Sequence, residues 1–191
     1  AYTVATEFGF LLFSFIIAYF INKEYSNKNT LFYKLIGENI FSFFYKKALV
    51  LFVECFIFIF LGITIISLVF SNFSHYLLLL ILFSLVILQY ILIVGTISLI
   101  SPNVLVSIGI SIIYWIGSII LVAINKNVFG VIAPFEASNS MYMSIEKILN
   151  NKMNMINSHD VWTIILFFFI IFIVNFIILI SSKNRWLKLG M

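Results

Sequence analysis

The chain has 191 residues, 63% of them hydrophobic and 9% charged, with a formal charge of +4 and a mean hydropathy of +1.19. So few polar side chains cannot cover a water-soluble domain of this size, which excludes a soluble enzyme or binding module and predicts one all-α integral membrane domain over residues 1–191. The single cysteine, Cys55, rules out a disulfide framework, and the basic residues sit at the ends of apolar segments, where the membrane accounts for them without nucleic acid.

Runs of about 20 apolar residues cross a hydrocarbon core about 30 Å thick. The first is Tyr2 to Ile21. A polar and basic break, residues 22–47, follows. It opens with Asn22-Lys23-Glu24-Tyr25-Ser26-Asn27-Lys28-Asn29-Thr30 and continues with Leu31, Phe32, Leu35, Ile36, Ile40, Phe43 and Phe44 at helical spacing. That spacing predicts a short amphipathic helix, which by itself need do no more than rest on anionic lipid.

The second span is Ala48 to Phe70, and only Ser71 to His75 separates it from the third, Tyr76 to Ile100. Ser101, Pro102 and Asn103 then lead to the fourth, Val104 to Ile124, and Pro102 cannot continue a helix across that turn. Residues 125–160 form a loop too long for a simple connection, with Met141, Ile145, Ile148, Leu149 and Ile156 at helical spacing. This stripe predicts an amphipathic helix that braces the bundle or serves as a gate, and Pro134 divides the loop so that a re-entrant hairpin is the other reading. The fifth span is Val161 to Ile180.

Lysine and arginine set the orientation. With residues 22–47 in the cytoplasm, that side holds Lys23, Lys28, Lys34, Lys46, Lys47, Lys183, Arg185 and Lys188, against Lys126, Lys147 and Lys152 outside. This bias predicts a multi-pass protein of the cell membrane with a cytoplasmic C-terminus and an extracellular 125–160 loop. Five spans would then leave Ala1 outside, and the expectation is that an earlier span precedes the sequence, the alternative being a short translocated amino terminus.

Three polar residues within the spans are singled out as candidate contacts: Glu54, Gln89 and Asn175. Hydrocarbon offers them no partner, so each is expected to face the bundle or a cavity, either locking helices together or touching a substrate. Ser107, Ser111 and Ser118 share one face of the fourth span and suit close packing. No glycine-rich phosphate loop is present, so the chain is not expected to hydrolyse ATP. His75 and His159 lack ligand partners at a recognisable spacing, and no metal or cofactor is expected.

Glu24, Asn27 and Thr30, followed by an aromatic amphipathic segment and by Lys46 and Lys47 before the next span, resemble the coupling helix of ABC-2-type transporter permeases. The glycine usual between the asparagine and the threonine is missing, and no arginine follows near Gly37. The family plan has six spans, short middle loops and re-entrant helices before the last span, so this chain resembles spans two to six. Among such permeases it is similar to those of lantibiotic immunity systems and of the phenol-soluble modulin exporter. The resemblance implies a permease subunit that moves amphipathic peptides out of a Gram-positive cell. It implies two copies of an ABC ATPase, which hold ATP and Mg and dock on Glu24, Tyr25, Asn27, Lys28, Thr30, Leu31 and Phe32. A second permease half, itself or a paralogue, would complete a dimer in the membrane lipid. The alternative is a non-transporting sensor, immunity or assembly protein.

Overall fold

In the computed structural model, residues 6, 8–26, 33, 35, 37–101, 103–136, 139–150 and 156–189 are described. Every regular element among them is a helix: α1 (Gly9–Ser26), α2 (Ile40–Val69), α3 (Tyr76–Ile100), α4 (Val104–Ile124), α5 (Lys126–Phe129), α6 (Ser140–Leu149) and α7 (Ser158–Leu189). The chain is an all-α membrane protein. α2, α3, α4 and α7 are long and apolar enough to cross a bilayer, and a shorter apolar helix, Gly9–Lys23, overlaps the first predicted span.

α2 begins earlier than the hydropathy alone suggests. Gly37, at φ 80°, takes a backbone conformation that residues with a Cβ rarely adopt, and Asn39 then caps the helix by accepting from the Ser42 N–H at 2.7 Å. The stripe read as one amphipathic surface helix is therefore divided. Ile40, Phe43 and Phe44 belong to the first turns of α2 and are buried in the core, so they are not free to dock on anything else. Leu31, Phe32 and Ile36 lie outside the described residues. α7 likewise overruns its predicted span at both ends, carrying Lys183, Arg185 and Lys188 within the helix. Pro102 is outside the described residues, although α3 does end at Ile100 and α4 does begin at Val104, capped by Asn103.

α3 is the axis of the bundle, packing against α1, α2, α4 and α7. Half of its span is buried, against 17 to 22% for the other three. A helix that is apolar all round suits that central place. Its small residues let neighbours close in: a Cβ on Gly95 would stand 3.1 Å from both Ile21 and Phe44. Ser98 faces Ser107 of α4 with the two hydroxyls 2.5 Å apart, and Ser111 and Ser118 are also buried. Their hydroxyls donate to carbonyls of their own helix, Ser111 to Ser107 and Ser118 to Trp115, both at 2.8 Å. Such bonds satisfy each group where water is missing.

The loop before α7 folds onto one end of the bundle. Phe135, Met141 and Ile145 enter the same hydrophobic core as the spans, and Ile148 of α6 is buried too. Pro134 sits in the turn between α5 and α6, so the loop is two helical pieces, as its sequence suggests.

Candidate functional site

Three polar or open places bear on function. The first is a buried hydrogen-bond chain across α2, α7 and α3. Tyr45 donates its hydroxyl to Asn175 Oδ1 at 3.0 Å, and Asn175 Nδ2 donates to Thr96 Oγ1 at 2.7 Å. Asn175 is fully buried, and its side-chain oxygen and nitrogen each have a partner. The arrangement locks the start of α2, the end of α3 and the middle of α7 together, and both polar atoms of the amide are taken. Gln89 is buried as well, about two turns earlier along α3, and its Oε1 accepts no hydrogen bond among the described residues.

Glu54 departs from expectation. The buried stripe of α2 runs through Ala48, Leu51 and Cys55. At 100° per residue, Glu54 turns away from that stripe and lies on the exposed face beside Val53 and Ile57. It does not face the interior of this bundle.

The second place is a groove of about 360 Å³ between α2 and α3, floored by Phe13 of α1. Cys55, Phe58, Gly62 and Ile66 form one wall, and Leu79, Phe83, Val86 and Tyr90 the other. Gly62 has open space beside it in that wall: a Cβ there would meet nothing within 4 Å. A second cavity of about 230 Å³ shares Ile66, Ser67 and Leu79 with it and adds Asn72, Ser74, His75 and Tyr76. The apolar groove therefore continues into a polar mouth at the loop end, roofed by Leu149 of α6. The Thr64 and Tyr76 hydroxyls, 2.9 Å apart, tie α2 to α3 there. Above the bundle, Asn139 donates to the carbonyls of Gly130 and Ala133 at 2.8 and 3.2 Å. Asp160 accepts from Ser140 and Ser144 at 2.9 and 2.6 Å, which fixes α6 to the start of α7.

The third place, at the opposite end, is a cavity of about 190 Å³ lined by Phe20, Tyr33, Glu38, Phe43, Lys46, Lys47 and Val50. Lys46 donates to Glu38 Oε1, which holds the Glu38 carboxyl below its ordinary pKa. Lys47 Nζ lies 4.6 Å from the Phe20 ring centroid, a cation–π contact between α2 and α1. Glu24 and Tyr25 are in the last turn of α1 and thus at this same end, whereas Asn27, Lys28, Thr30, Leu31 and Phe32 lie outside the described residues.

Among the described residues no group of three or more His, Cys, Asp or Glu side chains could hold a metal ion. The groove and the roles of Tyr45 and Thr96 were not legible in the sequence. Tyr45 reads as the end of a polar break, and Thr96 as an ordinary polar residue in an apolar run. The pair Gly95-Thr96, small then hydroxylic inside a span, is the one local signal that α3 meets its neighbours closely there.

The family pattern for the peptide export permease protein YydJ matches residues 1–191. The chain is 62% identical over 191 residues to the "Probable peptide export permease protein YydJ" of Bacillus subtilis (strain 168), covering 100% of this chain and 80% of that protein. No solved structure matches.

Proposed function

The chain belongs to the peptide export permease protein YydJ family, and from that membership we propose that it is the membrane-spanning permease subunit of an ATP-driven ABC exporter. The observation that carries this reading is a match running the full length of the chain to a permease named for peptide export. Its cargo is an amphipathic peptide of toxin or antimicrobial type leaving a Gram-positive cell, which agrees with an apolar groove that ends in a polar mouth.

The motor is a separate ABC ATPase, in two copies, which binds ATP and Mg, because this sequence has no glycine-rich phosphate loop. The lysine-rich end faces the cytoplasm, and residues 22–47 carry the joint to the ATPase. Support comes from the resemblance of Glu24, Asn27 and Thr30 to a coupling helix and from the lysine bias. A second permease half completes the transporter as a dimer. Co-expression with an ABC ATPase encoded beside this protein should allow both to be purified together, and inside-out vesicles bearing the pair should accumulate an amphipathic peptide only with ATP. A permease that recovers no ATPase and moves no peptide would favour the non-transporting reading.

A further inference from the structure

Glu54 is the only ionisable carboxyl within the span of α2, and it lies at mid-helix on the exposed face with no hydrogen bond or ion pair among the described residues. A lone carboxylate against hydrocarbon is costly, so it persists where a partner meets it. Among the described residues no cation stands beside it. The sequence has no Lys or Arg before Lys23, none between Lys47 and Lys126, and none between Lys152 and Lys183.

The position of Glu54 relates it to the groove. Glu54, Phe58, Gly62 and Ile66 follow one another at four-residue spacing along a single ridge of α2, about 6 Å per step. The last three line the apolar groove, whose lining begins at Cys55, the residue next to Glu54. Glu54 thus stands one helical turn before the groove lining on α2, and Asn72, Ser74 and His75 lie at the other end, where the second cavity adjoins. Resting on the peptide-exporter reading above, we propose that Glu54 recognises a cationic group, a lysine, arginine or amino terminus, of an amphipathic peptide whose apolar face lies along the α2–α3 groove. The apolar lining supplies affinity without sequence preference, and the carboxylate selects charge and sets the register. Lipid chains share the groove's chemistry but bring no cation at this depth.

The test uses the full chain in membrane vesicles with a photo-cross-linking residue at Phe58. Two synthetic amphipathic helical peptides share an apolar face and carry lysines or glutamates on the polar face. The parent protein should cross-link the lysine peptide at concentrations about tenfold lower than the glutamate peptide. Glu54→Gln should abolish that preference while keeping apolar binding, and Glu54→Lys should reverse it. Equal capture of both peptides by the parent overturns the proposal without needing any variant. A preference that survives Glu54→Gln also overturns it. ATP-driven uptake of the lysine peptide, followed in parallel, separates the two readings. Transport that continues with charge-blind capture refutes the role of Glu54 alone, whereas Glu54-dependent capture without ATP-driven transport refutes the exporter and leaves the recognition site standing.

Discussion

Tyr45 and Asn175 stand 130 positions apart in the sequence and are joined by a 3.0 Å hydrogen bond, which ties the first turns of α2 to the second half of α7. Asn175 passes the link on to Thr96 of α3, so three spans meet at one buried amide. Removing that amide should loosen all three. Asn175→Ala is expected to lower unfolding stability by about 1–2 kcal/mol, and Tyr45→Phe by about half of that. A double-mutant cycle in detergent or bicelles checks it: Tyr45→Phe should cost nothing further once Asn175 is Ala.

Two glycines give opposite expectations. A Cβ on Gly95 would already press on Ile21 and Phe44 at 3.1 Å, and Gly95→Val should cost about 1–3 kcal/mol by overpacking the contact of α3 with α1 and α2. Gly62 has open space around it and lines the groove. Gly62→Val should leave stability within about 0.5 kcal/mol of the parent while narrowing the groove and lowering peptide transport. Thermal unfolding and uptake measured on both variants separate a packing glycine from a path-lining one.

The lysine bias predicts that a cysteine at Asn29 is labelled by an impermeant thiol reagent only from the cytoplasm. Its partner probe belongs at Asn127, which is exposed. Asn139 looks equally suitable in the sequence, but it is buried and brackets the loop through Gly130 and Ala133. The native thiol, Cys55, is buried and should stay silent. Labelling of Asn29→Cys and Asn127→Cys from the same face would refute the topology.

Leu31→Ala with Phe32→Ala should remove more than about 2 kcal/mol of docking energy for the ATPase, because such interfaces concentrate their energy in a few apolar anchors. Insertion should survive, since the spans are untouched. Co-purification of the ATPase is the readout, and parental recovery would place the joint elsewhere. Ile40, Phe43 and Phe44 are poor choices for this test, because their burial in the bundle would mix folding with docking.

Glu38 gains a hydrogen bond from Lys46 and has its carboxyl held below the ordinary value of 4.5. A group whose folded pKa is depressed stabilises the fold above its unfolded pKa and loses that contribution as pH falls through the folded value. Acidification below about pH 4 should therefore weaken the start of α2 in the parent more than in Lys46→Ala. Amide exchange of the Asn39 to Phe44 backbone against pH would report it.

The sequence by itself determined the class, the approximate places of the spans and the loop that closes one end. These follow from hydropathy over about 20 residues and from the 3.6-residue period, both local properties. Met141, Ile145 and Ile148 were legible as a buried stripe for the same reason. The tertiary structure alone decided which polar groups find partners. Asn175 and Glu54 are each single polar residues in an apolar run, yet one sits at the junction of three helices and the other on an open face. A helix's rotation about its axis is set by its neighbours, and for α2, apolar nearly all round, the hydrophobic pattern gives little indication of which side turns inward. The start of α2 was hidden likewise, because Gly37 and Asn39 cut a hydrophobic period that continues through them. The groove needed α2, α3 and Phe13 of α1 in place before it existed at all.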